Sequence, residues 1–442
     1  MQYSVQSTLC TSIVEEGIQK ALDLDKPLYL PIIATKPCFI KMAGLINALR
    51  HSDIPFVVGN SNQHYDQLLT AQIEEFGYKD QIGINLGASG VDFNERVCNM
   101  AQSVKAFIDT MNAYPHRPAI IPLVSGDTFS AGILPQLFYF STGIRSVHIE
   151  AGLRSLGPAN KEVWREGDLL QQGQWEWCRY INEPFPEGMD TRLASVASEL
   201  LLAPVKRNRE NLLDEGYESE NIVITGSLSS DAVGIMKKYT DTGFLQRYPF
   251  IGKGKWLRVD LHRRENLVPH RMLSVIKGLS MLSKAGMNVM LVKTNALIAA
   301  IRHFGLDEQF QQMETAGVVV CEMWPSYLDV ISFMMSEHCL GLYTDSGGLQ
   351  EEAHILGVPC LTLRYSTDRP ETILDMPGNL LVPPISEDFI YNNVIRAFDA
   401  AIWRRQKDKD EELYGNNVGK SIVEYLNNYT PQHNAPKRVL AY

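Results

Sequence analysis

The chain lacks several features that would each place it in a distinct class of protein. Its 41 Lys and Arg against 51 Asp and Glu give a net charge of −10, so there is no basic excess of the kind that coats nucleic acid. No stretch approaches the roughly 18 consecutive apolar residues of a membrane-spanning helix. Residues 1–15 are polar and show no basic-then-apolar signal pattern. We therefore expect a cytoplasmic protein with no nucleic-acid partner and no membrane partner.

Paired cysteines and metal-binding motifs are also missing. The seven cysteines are an odd number, are widely scattered and show no CxxC spacing, which argues against a zinc site and against a disulfide framework. No HExxH-type spacing occurs, so we expect neither a metal nor another cofactor. Because most of the cysteines lie beside apolar residues, we expect them to be small buried hydrophobic side chains. They are Cys10, Cys38, Cys98, Cys178, Cys321, Cys339 and Cys360.

The 442 residues are enough for two or three domains, and 45% hydrophobic with 21% charged residues is ordinary for a globular protein. Short apolar runs bounded by turn signals alternate with amphipathic segments, which predicts βαβ units and parallel sheets. The predicted strands include 28–34, 56–59, 119–124, 147–149, 257–261, 289–292, 318–321, 339–343 and 359–363. The predicted helices include 40–50, 97–111, 133–140, 272–285 and 326–335. The chain thus divides into two α/β halves, with a boundary near 227–242.

One long segment, 158–186, interrupts this alternation. It is rich in Trp and Gln and shows no obvious period, and a segment of that length inside a domain is often functional. A surface excursion or an oligomer contact is an equally good interpretation.

The sharpest local motif is the segment 344–353, TDSGGLQEEA, which follows a predicted strand and opens a predicted helix. Thr344 or Asp345 can cap that helix, and the two glycines let an anionic ligand approach the exposed N–H groups and the positive end of the helix dipole. A phosphate or diphosphate is the natural guest, and Glu352 is placed to accept hydrogen bonds from a ribose diol. The alternative is a capped turn that uses glycine for its geometry alone.

A second motif, His262 to Asn266 (HRREN), lies just past the predicted strand 257–261. Residues that follow a strand in a parallel α/β sheet face the ligand crevice. One imidazole and two guanidinium groups there suit a negatively charged substrate and a titrating group. A solvated turn with ion pairs is the alternative.

Three carboxylates in the first half follow strand-like runs or enter a helix: Asp127, Glu150 and Glu187. In a parallel sheet, Asp127 and Glu150 come from strand ends on the same side. Carboxylates held close together drive their pKa values apart, which equips one as a base and another as an acid. Lys36 and Lys41 flank the first strand-to-helix turn and add positive charge. Taken singly, each acid is also explained as a helix cap or an ion-pair partner.

Other common catalytic motifs are absent. No GxGxxG or GxxxxGK[ST] occurs in a strand-to-helix context, which weakens a dinucleotide or P-loop interpretation. Ser346 has no GxSxG elbow around it, which argues against an α/β hydrolase.

Taken together, the motifs resemble the UDP-N-acetylglucosamine 2-epimerase family, in family order over almost the whole chain. The matching segments are 36–42, 62–64, 125–128, 148–155, 186–187, 224–226, 262–266, 344–353 and 364–371. The resemblance implies an α/β fold of two Rossmann-like domains, of the glycosyltransferase-B type, with the active site in the interdomain cleft. It implies domains at 1–230, completed by a C-terminal helix within 416–442, and at 231–415.

The resemblance also implies roles for individual residues. The family reaction removes the proton at sugar carbon 2 and expels UDP, and UDP then adds back after protonation from the other face. The catalytic residues implied are Asp127, Glu150, Glu187, His262 and Lys41. The residues implied for substrate or UDP binding are Lys36, Arg263, Ser346, Gly347, Gly348, Glu352, Gln63 and His64. Of these, Gln63 and His64 resemble the activator-binding pair of the non-hydrolysing branch.

The chain departs from the family pattern at several positions. Lys36 replaces the usual arginine, Cys38 replaces a glutamate, and 186–192 (PEGMDTR) lacks or displaces the arginine of PEExNR. The stretch from Glu150 to Glu187 is also longer than usual.

We expect a non-hydrolysing epimerase acting on a UDP-2-acetamido sugar, as a homodimer. A hydrolysing epimerase, a glycosyltransferase of the same fold and a catalytically silent UDP-sugar sensor remain alternatives.

Overall fold

The alternating apolar and amphipathic segments fold into parallel strands separated by helices, as predicted. In the computed structural model, residues 8–64, 67–181, 186–239, 243–400 and 412–430 are described. They divide into two units. The first unit comprises the described residues of Met1–Leu153, Pro186–Ile235 and Tyr414–Tyr442, and the second those of Arg154–Phe185 and Met236–Leu413.

The first unit is built on an eight-stranded sheet with the order β1-β4-β3-β2-β5-β6-β9-β10. Its strands are β1 Thr8–Leu9, β2 Leu28–Ile33, β3 Val58–Asn60, β4 Ile82–Asn85, β5 Ile120–Ser125, β6 Ser146–Ile149, β9 Ser198–Ala203 and β10 Ile222–Ile224. Its helices are α1 Thr11–Asp23, α2 Lys36–Arg50, α3 Gln67–Glu75, α4 Phe93–Asn112, α5 Phe129–Thr142, α7 Glu187–Val196, α8 Lys206–Asp214, α9 Leu228–Met236 and α18 Val418–Asn428. Strand β1 pairs antiparallel with β4, and the other neighbours pair parallel.

The second unit contains a six-stranded parallel sheet with the order β13-β12-β11-β14-β15-β16, and a short antiparallel pair, β7-β8. Its strands are β7 Leu156–Pro158, β8 Trp177–Arg179, β11 Trp256–Asp260, β12 Asn288–Lys293, β13 Val319–Glu322, β14 Cys339–Thr344, β15 Cys360–Thr362 and β16 Asn379–Leu381. Its helices are α6 Val163–Glu166, α10 Phe244–Arg247, α11 Pro269–Lys284, α12 Asn295–Phe304, α13 Asp307–Thr315, α14 Tyr327–Met335, α15 Gly347–Leu356, α16 Glu371–Leu374 and α17 Glu387–Asp399.

The central strands are buried on both faces, which explains why they read as continuous apolar runs. Alternate residues of β2 contribute to two different hydrophobic clusters: Tyr29 and Ile33 to one, and Leu28 and Leu30 to the other. Every residue of β2 and β5 is buried. Helices therefore cover both faces of the sheet, which is the arrangement expected for parallel strands.

Helix α2 begins four residues before the predicted start at residue 40. Pro37 lies in its first turn, where its fixed φ suits a helix and no N–H is needed. The cysteines also differ from expectation, because Cys10, Cys98 and Cys178 are exposed and only Cys38 and Cys360 are fully buried. Apolar neighbours in the sequence do not place a residue on the buried face of its element.

The described residues of 154–185 group with the second unit, whereas the sequence analysis expected them in the first. The backbones of Leu156 and Thr367 exchange hydrogen bonds of 2.9 and 2.8 Å. The amide of buried Gln172 satisfies both polar groups of Leu381 on edge strand β16, accepting from its N–H at 2.8 Å and donating to its C=O at 2.7 Å. The long Trp-bearing segment thus covers the edge of the second sheet.

Helix α18 belongs to the first unit and lies against α2. Asp231 accepts hydrogen bonds from the N–H groups of Val418 and Gly419 at 2.8 and 2.7 Å. A Cβ built on Gly419 would lie only 2.7 Å from the carbonyl oxygen of Gly44, so glycine permits this close helix crossing. Residues 431–442, which fall in the expected C-terminal helix, lie outside the described residues.

Candidate active site

Two of the three predicted carboxylates follow adjacent strands. Asp127 comes two residues after β5 and Glu150 directly after β6, and the parallel register pairs Ser125 with Ile149. The prediction that Asp127 and Glu150 leave the sheet on the same side is therefore confirmed. This edge of a parallel α/β sheet is where ligands bind.

Glu150 is held in a buried ion pair with Lys41, which projects from α2. The Lys41 Nζ lies 2.5 Å from Glu150 Oε1, and Ser125 Oγ donates to Oε2 at 3.2 Å. Glu150 has a φ of +61°, in the left-handed region that is uncommon for residues with a side chain. Backbone strain of this kind clusters at functional sites. Sequence reasoning placed both residues in the site but did not anticipate that they bind each other.

His148, on β6, connects the Asp127 turn to α7. Its Nε2 lies 2.9 Å from the carbonyl oxygen of Gly126, and its Nδ1 lies 3.0 Å from Ser195 Oγ. The ring is fully buried, so it fixes the spacing of these two elements. Helix α7 carries the third predicted carboxylate, Glu187, in its first turn.

Asp190, also on α7, is a carboxylate to which sequence reasoning gave no role. Burial, followed by the charges of Asp127 and Glu187, raises the pKa of Asp190 to about 7. The structure therefore brings Asp127, Glu187 and Asp190 within electrostatic reach of one another. The available signal was the spacing of Glu187 and Asp190, three residues apart on one helix face.

The predicted binding residues of the first unit make hydrogen bonds within that unit. Gln63 Oε1 accepts from the backbone N–H of Ser130 at 3.0 Å and from its hydroxyl at 2.8 Å, and thereby holds the first turn of α5. The backbone N–H of Lys36 donates to His64 Nδ1 at 3.1 Å. Burial, with the charges of Arg96 and Lys36, lowers the pKa of His64 to about 4, so its imidazole is neutral at neutral pH.

In the second unit, buried Asp345 organises the HRREN turn that follows β11. Its carboxylate accepts hydrogen bonds from the backbone N–H groups of His262 and Arg263 and from Asn266 Nδ2, at 3.0–3.2 Å. His262 Nδ1 lies 3.0 Å from Asp345 Oδ1. Burial alone would raise the pKa of Asp345, but the charge and hydrogen bond of His262 hold it at about 2. The pKa of His262 is raised in turn, because Asp345 outweighs the opposing effect of burial.

Ser346, rather than Thr344 or Asp345, caps helix α15. Its Oγ accepts from the N–H of Leu349, while Asp345 is occupied by the HRREN turn and Thr344 Oγ1 accepts from the N–H of Ser346. A Cβ on Gly347 would lie 2.8 Å from Asp368 Oδ2, so that glycine is required for packing. Gly348 faces open space, its closest atom being Ser346 Oγ at 4.0 Å from a built Cβ. Glu352, one turn further on, is buried.

Asp368 is surrounded by three guanidinium groups. The three distances to its carboxylate are 2.5 Å from Arg364 Nη1, 2.9 Å from Arg369 Nη1 and 3.9 Å from Arg263 Nη2. Burial would raise the pKa of Asp368, but the charges of Arg364, Arg369 and Arg263 hold it far below its usual range. A second carboxylate, Glu351, pairs with Arg369 at 2.5 Å. Of these residues, sequence reasoning assigned a role only to Arg263.

None of the helices in the described part of the chain combines the length and the apolar character needed to cross a membrane. The His, Cys, Asp and Glu side chains of the described residues also do not gather into a group suited to holding a metal ion.

An α/β chain with two parallel sheets, acids at the edge of one and a capped glycine turn at the edge of the other, belongs to the class with two Rossmann-like domains. The structure of a Methanocaldococcus jannaschii UDP-GlcNAc 2-epimerase has this fold. It matches with a TM-score of 0.73 and 23% identity, over 91% of this chain and all of that one. The predicted fold class, α/β with two Rossmann-like domains, is confirmed.

The family is shown by sequence. The family model for UDP-N-acetylglucosamine 2-epimerase matches residues 178–427, more than half of the chain. The UDP-N-acetylglucosamine 2-epimerase of Salmonella typhimurium is 29% identical, covering 78% of this chain and 84% of that protein. A structure of the Neisseria meningitidis enzyme bound to UDP-GlcNAc is 26% identical with a TM-score of 0.71, covering 91% of this chain and all of that one. The chain belongs to the UDP-N-acetylglucosamine 2-epimerase family.

Proposed function

We propose that the chain interconverts UDP-2-acetamido sugars that differ at carbon 2, by elimination and re-addition of UDP. The substrate that we propose is UDP-N-acetylglucosamine, which is bound in the structure of the Neisseria meningitidis relative. The family membership and the 29% identical relative named UDP-N-acetylglucosamine 2-epimerase support this reaction.

The observation that carries the proposal is the set of acids in the first unit. Epimerisation by this route needs a base to take a proton from carbon 2 and an acid to return one to the opposite face. Glu150 is an ion-paired carboxylate beside Lys41, whereas Asp190 holds a proton up to about pH 7. Acids in both protonation states are thus available at neutral pH, with Asp127 and Glu187 beside Asp190. Glycosyl transfer does not require proton transfer at carbon 2, so these acids favour an epimerase.

The second unit supplies the features needed to bind UDP. The N–H groups in the first turn of α15, beside Ser346 and Gly348, suit a diphosphate. His262 and Arg263 add positive charge on a turn fixed by Asp345, which stabilises the leaving diphosphate. We propose that Gly347 shapes this turn and that Glu352 binds the ribose hydroxyls.

The same proposal gives roles to the remaining basic residues. Lys41 pairs with Glu150, and Lys36 adds charge at the start of α2. Gln63 and His64 position the first turns of α5 and α2 by their hydrogen bonds, and their neighbourhood is where we propose that an activating UDP-sugar acts.

The test is incubation with UDP-N-acetylglucosamine in heavy water, followed by proton NMR. We expect deuterium at carbon 2 in a mixture of the gluco and manno UDP-sugars, with little free UDP. Free UDP together with N-acetylmannosamine would instead establish the hydrolysing reaction. If neither this substrate nor modified UDP-2-acetamido sugars gain deuterium at carbon 2, the chain is not an epimerase.

We also propose that the chain acts as a homodimer in the cytoplasm. Light scattering of the purified protein tests the first statement, since a monomer mass at micromolar concentration contradicts it. Cell fractionation tests the second, since recovery with membranes contradicts it.

A further inference from the structure

Asp190 lies one helical turn beyond Glu187 on α7, so both carboxyl groups project from one face of that helix. Helix α7 packs against α5. A Cβ built on Gly132 of α5 would lie 2.9 Å from Asp190 Oδ1 and 3.0 Å from its Cα. The absence of a side chain at Gly132 therefore lets the Asp190 carboxyl group approach α5, beside the Asp127 turn.

The carboxyl group of Asp190 is enclosed but not fully hydrogen-bonded. Only 5% of the residue is exposed, and Oδ2 has no hydrogen-bond partner among the described residues. A buried ionised carboxylate would need several donors or a cation to offset its desolvation. A protonated carboxyl group needs far less, and its O–H is itself a donor.

The two charges that act on the pKa of Asp190 both favour its neutral form. Asp127 faces it from the turn before α5, and Glu187 from α7 itself. The described helix α5 carries no Lys, Arg, Asp, Glu or His. Arg192 of α7 donates to the carbonyl oxygen of Gly188 at 2.8 Å and lies 3.8 Å from Glu215. Glu199 of β9 acts on Tyr429 instead.

The proposed reaction leaves a proton imbalance after each turnover. When carbon 2 loses its proton to a base, the C–H electron pair forms the C1–C2 double bond and the C1–O bond to UDP breaks. When an acid protonates carbon 2 on the other face, the double-bond pair forms the new C–H bond and UDP oxygen adds to C1. The base has then gained one proton and the acid has lost one, so both must be reset before the next turnover in the same direction.

We propose that Asp190 is a positioning residue that stores this proton and returns it through Asp127 or Glu187. It gives its proton to the carboxylate that has protonated carbon 2, and takes up the proton that the base removed. The number of protons in the cluster and substrate is therefore unchanged over one turnover. This role rests on the proposed function, since it concerns the same carbon 2 step.

The test is Asp190→Asn, which keeps the shape of the side chain but cannot release a proton. We expect turnover near pH 7 to fall by roughly tenfold or more, within the usual range for general acid–base groups, with UDP affinity unchanged. We also expect the residual rate to rise with the concentration of a small buffer acid, because solvent acids must then reset the cluster. The matched control is Asp231→Asn, a partly buried acid of the first unit that also has a raised pKa, which should lose no activity beyond any loss of folded protein.

A measurement without turnover separates this inference from the proposed reaction. Infrared difference spectra of the unliganded protein should show a protonated carboxyl band that titrates near pH 7. That band should be absent in Asp190→Asn and Asp190→Ser and present in Asp231→Asn. Absence of such a band in the wild-type protein, or wild-type turnover and pH profile in both Asp190 variants, overturns the inference. An inactive wild-type protein that shows the band overturns the proposed reaction alone.

Discussion

Asp190 in the first unit and Asp345 in the second are both buried acids near the carboxyl edge of a parallel sheet, and their pKa values move in opposite directions. Burial, together with two neighbouring carboxylates, raises the pKa of Asp190 to about 7. Asp345 receives donors from the HRREN turn and pairs with His262, which holds its pKa at about 2. The two buried acids thus favour opposite protonation states, which suits the proton transfer proposed for the first unit and the anion binding proposed for the second.

The largest expected effect comes from removing the charge of Glu150. Glu150→Gln cannot accept a proton and leaves the buried Lys41 ammonium without its 2.5 Å partner. We expect turnover to fall by roughly 10²–10⁴-fold, while UDP affinity stays near the wild-type value. Deuterium incorporation at carbon 2 and calorimetric UDP titration measure the two quantities.

The control for that variant is Glu210→Gln, which changes a half-exposed glutamate of α8 lying 3.7 Å from Lys206. It should retain full activity. Near-normal turnover in Glu150→Gln would show that Glu150 takes no part in the proposed chemistry. The proposed assignment of proton transfer to the first unit would then lose its main support.

Removing a cation from the second unit should leave a buried acid there less well paired, as Asp190 is in the first unit. Arg364→Met deletes the fully buried guanidinium that lies 2.5 Å from Asp368. We expect the free energy of unfolding to fall by about 3–5 kcal/mol, the usual cost of leaving a buried charge with a missing partner. Chemical denaturation measures this loss.

Arg396→Met is the matched control, because Arg396 forms a half-exposed pair with Asp168 at 3.0 Å. Its loss should cost no more than about 1 kcal/mol. Equal costs for the two variants would show that the arginine cluster around Asp368 does not stabilise the second unit.

The elements that carry both sites were predictable because they depend on local patterns. Strand β5 at Ile120–Ser125 lies one residue from the predicted 119–124, since a buried parallel strand reads as a continuous apolar run. The proposed role of Asp190 could not be predicted from the sequence, because it depends on the close approach of α7 to Gly132. The sequence also does not show where the long segment 158–186 packs, because Gln172 forms its hydrogen bond with Leu381, 209 residues away.

The pH dependence of stability tests the raised pKa of Asp190 directly. Its pKa is about 7 in the folded chain and near 4 in the unfolded chain, so between these values the folded state binds the extra proton. This residue therefore stabilises the fold below about pH 4, and that contribution is lost as the pH rises through about 7. Relative to the wild type, Asp190→Asn should gain about 1.4 kcal/mol of unfolding free energy per pH unit across that window.

Denaturant titrations of both proteins at several pH values measure this difference. Asp231→Asn serves as the control. The pH dependence of its unfolding free energy reports on an acid that caps α18 and not on one beside Asp127 and Glu187. A difference between wild type and Asp190→Asn that stays constant with pH would mean that Asp190 is ionised throughout.

The smallest expected effect concerns the stability that Asp345 contributes to the second unit. This contribution is lost as the pH falls, whereas that of Asp190 is lost as the pH rises. The pKa of Asp345 is about 2 in the folded chain, below its unfolded value near 4. Its carboxylate therefore stabilises the fold above about pH 4, and this contribution is lost as the pH falls through about 2. The stability advantage of wild type over Asp345→Asn should shrink by about 1.4 kcal/mol per pH unit over those two units. Denaturant titrations between about pH 5 and pH 2 measure it, with the exposed acid of Asp388→Asn as control. An advantage that does not shrink would show that His262 and the HRREN turn do not hold Asp345 in its ionised form.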